Sequence, residues 1–536
     1  MTTITTKTTA RSKASEVIGH VQSFKAKDGS RLFYRAWGPQ TAEQAVILLG
    51  DYGSNENSLA SFAAELSALD AAVFVLDRRD SGQSQGANSA SHFGQLVDDL
   101  DQFVRHICCT SGLEEADIVA VGHGLGGLEL LTWGHDYAPR LRHVILLEPT
   151  LSDLTANGHL AETQEAAQRI LDDAGAIVLP VTFAAASPAS RSQTIARERC
   201  LQNLRGPSGF IELSGRIQAT NLAVVREINS LVEKALSRSP LKPDLTNAHR
   251  AGYTFDEYET LRKPLSFGFK SLSFAIQRAA LGTVGRLSRG VQIGWGTGFD
   301  SGVSLDHVYE NEARGTTWFG QAIDRFYLDA VGWKGIRQRR IHMQRQLAAA
   351  ITEAARHGRS VRILDIAAGA GRYVLETVRD HQHSKIEVEL RDFHQHNLDK
   401  AKLLAVELGL TDVRFKQHDA FATESYVGLE DTIDIAIVSG LYELFPDNDA
   451  VVQSLAGIRS ALKPGGTLIY TNQPWHPQLE MIARVLPSHR GGDSWVMRRR
   501  TQAEMDQLVR RAGLTKTDMD IDRWGIFTVS TTMDRE

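Results

Sequence analysis

Apolar runs alternate with amphipathic stretches through the first half of the chain. AVILLG (45–50), AAVFVLD (71–77), DIVAVG (117–122) and HVILLE (143–148) are apolar at nearly every position. That is the pattern of strands covered on both faces. Between them, SLASFAAELSAL (58–69) and FGQLVDDLDQFVRHI (93–107) carry apolar residues at helical spacing. This alternation predicts a doubly wound α/β layer. A second set of strand patterns follows residue 360: VRILDI (361–366), IEVELRDF (386–393), VRFKQHD (413–419), IDIAIVSGLYEL (433–444) and ALKPGGTLIYTNQ (461–473). They predict a second open α/β sheet, with ligands bound along the carboxyl edge of its strands.

Between the two sets the pattern changes. SPLKPDL (239–245) carries two prolines and reads as a domain exit. A helical, partly basic segment follows, and GWGTGFDSGVSLDHVYENEARG (294–315) reads as an ordered glycine-rich loop. The basic run Arg337 to Arg345 reads as a solvated helix face. The expected organisation is a disordered tail over 1–19, a first domain over 20–240, a linker and helical lid over 241–340, and a second domain over 341–536.

Composition narrows this picture only a little. The 536 residues allow two or three domains, and 42% hydrophobic with 23% charged residues is ordinary globular usage. A formal charge of -5 gives no case for a nucleic-acid or anionic-membrane surface. No apolar run approaches the eighteen or so residues of a membrane span. The N-terminal MTTITTKTTARSKASEV lacks the apolar core of a secretion signal. Cys108, Cys109 and Cys200 have no metal spacing and imply a reducing, cytoplasmic compartment. No metal site is expected.

The stretch ADIVAVGHGLGGLELL (116–131) fits two chemistries. Gly122, Gly124 and Gly127 satisfy G-x-G-x-x-G, a turn that holds a dinucleotide pyrophosphate at a helix start. With serine at its centre the same layout is a nucleophile elbow. Several strands precede the turn, which disfavours the dinucleotide loop, whereas Glu148 ends the next strand where a ribose-binding acid would sit. FKAKDGSRLFYRAWGP, VLDRRDSGQSQG and VAVGHGLGG resemble, in order and spacing, the monoacylglycerol-lipase-like branch of the α/β hydrolases. DRRDSGQS (77–84) resembles that family's D-x-R-G-x-G-x-S turn. On this resemblance the turn is the elbow, and the family's serine is replaced by Gly124. Its acid position offers Ala185, Ala186 and Ser187, and its histidine position offers Arg216, Ile217 and Gln218. His123 precedes the elbow position and points elsewhere. The resemblance implies a degenerate, catalytically dead hydrolase-like domain that serves as a scaffold or a homodimer interface.

The clearest chemical signal is VRILDIAAGAGRYVLETV (361–378). Asp365 ends a strand, and Ala367, Gly369 and Gly371 make a turn whose small residues let a ligand approach the backbone at a helix start. Asp392 ends the second strand, where a carboxylate accepts two ribose hydroxyls. Asp419 ends the third, followed by Ala420 and Phe421, an acid for an adenine amino group and an aromatic ring to pack on it. Ser439, Gly440 and Leu441 end the fourth.

D-x-A-x-G-x-G, the second-strand acid, HDAF and LKPGG closely resemble the class I S-adenosylmethionine-dependent methyltransferases. The whole of 20–536 resembles bacterial fusions of a lipase-like hydrolase with such a methyltransferase. GFDSG, YLDAVGWKGIRQR, VSGLYELFPDN, NQPWHPQLEMIARVL and SHRGGDSWVMRRRTQAEMDQLV fit the methyltransferase half. The resemblance implies two α/β domains, an α/β-hydrolase-like sheet and then a Rossmann-like seven-stranded sheet. It implies S-adenosyl-L-methionine held by Asp365, Ala367, Gly369, Gly371, Asp392, Asp419, Ala420 and Phe421, with Ser439 and Gly440 at its methionine end. Arg372 is placed either at the cofactor carboxylate or at the surface.

Methyl transfer from a sulfonium is an in-line displacement, helped by a base when the acceptor must lose a proton. Tyr442 and Glu443 after the fourth strand, and His476 after the fifth, are the candidate catalytic groups; His476 has an alternative as a loop anchor. Tyr309, Tyr327 and Arg337 are candidates for a lid. Arg498 to Arg500 either bind an acidic acceptor group or face solvent. The acceptor is a small or lipid-like molecule that the sequence does not name. Two rivals stay open: a bifunctional enzyme with residual hydrolase or lyase activity, and a non-catalytic cofactor-binding scaffold.

Overall fold

Two sheets form, each in its own compact unit, one on either side of residue 242. The computed structural model describes the chain apart from residues 1–18, 40, 52–55, 80, 85–91, 153–160, 187–189, 219–220, 241–252, 357–358, 382–383, 490–492 and 535–536. All of the expected tail but Gly19, most of SPLKPDL, and Ser187 therefore lie outside the described residues.

The first unit contains β1 (His20–Lys25), β2 (Arg31–Trp37), β3 (Ala45–Leu49), β4 (Ala72–Leu76), β5 (Ile118–His123), β6 (His143–Leu147), β7 (Val181–Ala186) and β8 (Ser208–Leu213). Their order is β1-β2-β4-β3-β5-β6-β7-β8. Only β2 pairs antiparallel, with β1 and with β4. Strands β3, β4 and β6 are buried at every position, as their unbroken apolar runs require. The helix Leu125–Asp136 after β5 is buried along its whole length. DRRDSGQS is a structural turn: Arg79 forms a two-pronged pair with Asp99 at 2.6 and 2.7 Å, and Arg78 bonds Glu129 at 2.9 Å. Two guanidinium groups thus tie this turn to the helices behind it.

The second unit contains β9 (Val361–Asp365), β10 (Ile386–Asp392), β11 (Val413–Gln417), β12 (Ile433–Val438), β13 (Leu462–Asn472), β14 (Leu514–Ile521) and β15 (Thr528–Asp534). The order is β11-β10-β9-β12-β13-β15-β14, with β15 antiparallel to both neighbours. Strand order reverses between β9 and β12, which opens a crevice at their carboxyl ends.

The region expected as linker and lid is integral to this unit. Its helices Tyr253–Arg262, Phe269–Gly282, Arg289–Thr297, Gly302–Glu310 and Trp318–Leu328 contribute Leu261, Val291, Phe299, Val308 and Leu328 to one apolar cluster. Trp333, Ile482 and Trp495 belong to the same cluster. The expected loop at 294–315 is largely two helices. Ser301 caps the second by accepting the N–H of Ser304, and the glycines proved compatible with helix once that cap and the apolar face were in place. The basic run is not a solvated face throughout, since Arg339 is buried and Arg340 is paired with Glu376.

Candidate functional site

The switch point of the second sheet opens on a cavity of about 1270 Å³. Its floor is the turn after β9. Gly369 and Gly371 hold φ of +54° and +65° there, a region that side chains disfavour. A Cβ placed on Gly369 would meet no atom within 4 Å, so the turn presents bare backbone to open space. Asp392, at the end of β10, accepts the N–H of Gly369 at 2.9 Å through one oxygen. Its other oxygen accepts the N–H of His394 and the Asn397 amide. A carboxylate offers about four acceptor positions, so it keeps capacity for a ligand.

Ala367, Gly369, Gly371, Arg372, Asp392, Asp419, Ala420, Phe421, Ser439 and Gly440 all border this cavity. Asp365 does not. It is fully buried beneath the turn, accepts the Tyr373 hydroxyl at 2.7 Å, and burial raises its carboxyl pKa to about 7. It positions the floor and does not reach the cavity. Arg372 lies 3.3 Å from Asp306, a carboxylate sixty-six positions away in the chain.

Of the three catalytic candidates, Glu443 and His476 border the cavity and Tyr442 does not. The Tyr442 hydroxyl turns into the core, 3.0 Å from Ser454, because the short helix Tyr442–Leu444 fans successive side chains around its axis, which leaves Glu443 and Leu444 on the cavity side. Glu443 lies 3.6 Å from Arg339. His476 Nδ1 accepts the N–H of Gln478 at 3.0 Å. That bond fixes the proton on Nε2 and makes the ring a donor. Burial lowers its pKa to about 4, so it stays neutral near pH 7.

Sequence reading missed Gln473, which directly follows β13. It borders the cavity, is buried, and its amide nitrogen has no hydrogen-bond partner. The signal was its place at a strand's carboxyl end. Tyr309 and Tyr327 border the cavity as lid candidates, whereas Arg337 instead donates to the carbonyl of Leu328. The expectation for Arg498 to Arg500 fails on both readings. Arg498 is buried against Glu504 and Asn448, Arg500 against Asn448 and the carbonyls of Tyr442 and Phe445, and Arg499 against Glu257 and the Pro474 carbonyl. These three arginines pin the loops that carry the site.

In the first unit the turn after β5 carries glycine at the position expected for a nucleophile. Gly124 has φ 56° and ψ −117°. A Cβ there would lie 2.4 Å from the Asp51 carboxyl carbon. Asp51 accepts the N–H of Leu125 at 2.9 Å. In an elbow, the N–H of the residue after the nucleophile is the donor that stabilises an oxyanion. Here an anion already occupies it. Glu148 turns its carboxylate to the N–H of Ala186 at 3.1 Å. Among the described residues, no group of three or more metal-ligating side chains occurs.

A family model described as "Putative methyltransferase" matches residues 228–534, and one described as "Serine aminopeptidase, S33" matches 40–193. The chain is 34% identical to the uncharacterized protein YnbC of Escherichia coli K12, over 96% of this chain and 98% of that one. Among solved structures it is similar to the Burkholderia thailandensis 1,6-didemethyltoxoflavin-N1-methyltransferase, at 23% identity and TM-score 0.28, over 36% of this chain and 79% of that one. It is similar to a monoglyceride lipase of Saccharomyces cerevisiae at 13% identity and TM-score 0.34, over 42% of this chain and 97% of that one.

Proposed function

The chain belongs to the family described as "Putative methyltransferase", and on that premise we propose that it transfers a methyl group from S-adenosylmethionine to an apolar small-molecule or lipid-like acceptor. The cofactor is S-adenosylmethionine, which when bound supplies a methyl group on a cationic sulfur. The observation that carries this reading is the bare Gly369 turn beside Asp392 on the floor of a cavity whose far walls are apolar. On this reading Asp392 holds the ribose hydroxyls, and Asp419 and Phe421 take the base; all three border the cavity.

Beyond the cofactor floor the walls are Phe299, Phe326, Trp333, Ile482, Leu486, Trp495 and Met497. Such a lining selects an acceptor with an apolar body and excludes water from the reacting atoms. Among the polar groups that interrupt these walls, the Gln473 amide and His476 Nε2–H are donors that suit an acceptor oxygen. Glu443, held beside Arg339, is the group to take a proton from an acceptor that carries one. His476 orients and does not abstract.

The first unit takes a structural part without hydrolysis, a reading supported by Asp51 over Gly124. Copies of the chain associating through it is part of the same proposal. The test is calorimetric titration of the full chain with S-adenosylmethionine, alongside Asp392→Ala. Micromolar binding lost in the variant supports the reading; no binding by the folded wild type overturns it.

A further inference from the structure

The helix Phe269–Gly282 has an apolar composition and no buried residue. Phe267 and Phe269 are 100% and 95% exposed, and Leu272 and Ile276 are more than half exposed. The short helix Val284–Leu287 packs against both this helix and the helix Trp318–Leu328. On the latter, Trp318 and Phe326 are 81% and 83% exposed. Exposed aromatic and aliphatic side chains on adjoining elements mark an interaction surface.

Charge identifies the occupant. Residues 260–299 hold six basic residues and not one Asp or Glu; Arg262 and Lys270 are held by Glu259 and Glu480, and Lys263, Arg278, Arg286 and Arg289 carry the positive face. The chain as a whole is negative, so this segment is a local reversal that overall composition conceals. Basic side chains flanking outward Phe, Leu, Ile and Trp are the pattern of a helix lying in a lipid–water interface. The basic residues meet anionic headgroups and the aromatic rings enter the interfacial layer. A protein partner that bound the apolar patch alone would not need forty residues cleared of acid.

The patch also runs into the cavity. Gln277 and Ala280 of the first helix and Phe326 of the second border it. An apolar route therefore leads from the exposed surface inward.

We propose that this helical face docks on an anionic lipid surface, from which an amphiphilic acceptor enters the cavity. The docking stands on exposure and charge; only the entry of an acceptor rests on the methyltransferase reading.

The test is sedimentation of the full chain with phosphatidylcholine vesicles, with and without phosphatidylglycerol. The variants are Phe267→Ser/Phe269→Ser and Lys263→Glu/Arg289→Glu, all at exposed positions outside the cavity lining. Wild type is expected to bind the anionic vesicles about tenfold or more tightly than the neutral ones, with each double variant losing about tenfold. Unchanged S-adenosylmethionine titration in the variants shows that they fold. Failure of wild type to sediment, or equal binding to both vesicle types, overturns the proposal. So does a wild-type dimer that the Phe variant dissociates while vesicle binding is absent, which assigns the face to a second copy. Vesicle binding without S-adenosylmethionine binding leaves docking in place and removes the methyltransferase reading; the converse removes docking alone.

Discussion

The two units use one device to opposite ends. In each, a strand runs into a glycine turn, and a carboxylate from a neighbouring strand end accepts a turn N–H at 2.9 Å: Asp51 on Leu125 in the first, Asp392 on Gly369 in the second. At Gly369 a side-chain atom would find open space; at Gly124 it would collide with the carboxylate itself. The same bond therefore stoppers one turn and furnishes the rim of a cavity at the other. A glycine-rich turn with an acid nearby is thus no functional signature until the space above it is known.

The largest expected effect tests the open turn. Asp392→Asn removes a charged acceptor and should weaken S-adenosylmethionine binding by about 3 kcal/mol, on the order of a hundredfold, by calorimetry. Binding within about twofold of wild type would remove the contrast between the two carboxylates.

His476 comes next. His476→Phe removes the Nε2 donor and should lower methyl transfer by about ten- to a hundredfold. Because the native ring is neutral down to about pH 4, the wild-type rate should show no histidine limb between pH 5 and 7. A limb near pH 6.5 that the variant abolishes would make His476 a base.

The stoppered turn is tested by Gly124→Ser. Overpacking against Asp51 should destabilise the first unit by about 1–3 kcal/mol in denaturant unfolding, with no turnover of a generic ester. Gly124→Ser/Asp51→Ala should recover most of that loss and remain inactive, on the proposal that this unit does not hydrolyse. Ester hydrolysis by either variant would show that the site is dormant and not dismantled.

The most gradual signal, a slope of stability with pH in place of a single loss, concerns Asp365. Its native carboxyl holds a proton up to about pH 7, whereas an unfolded aspartate releases it near pH 4. The native state binds more protons in that window, so the stabilisation is complete below about pH 4 and is lost as pH rises through 7. Asp365→Asn should flatten this dependence, whose slope is at most about 1.4 kcal/mol per pH unit. An unchanged slope would move the buried charge elsewhere.

Strands covered on both faces were legible because parallel sheets demand unbroken apolar runs, and β3, β4, β6 and β9 lie within a residue or two of where those runs stand. The glycine turns and strand-end acids were legible for the same reason, being fixed by register. Side-chain direction was not. Tyr442 and Glu443 are adjacent in sequence, and only the local helix decides which one enters the cavity. Arg498 to Arg500 looked like a ligand site because a run of arginines has the same letters whether it meets a phosphate or the carbonyls of its own loops. The helical cap was underread, as its capping serines and its partners are far apart in sequence. Asp51 escaped notice because nothing local links it to a residue more than seventy positions away.

The geometry around Gly124 also bears on which variants single changes can reach. A side chain at 124 with Asp51 in place meets a collision, and removing Asp51 first strips the Leu125 N–H of its partner. A serine at 124 is therefore a change at two positions, and each of its single steps carries a cost of its own. The glycine and the carboxylate form a coupled pair, closed to one-letter variation from either side.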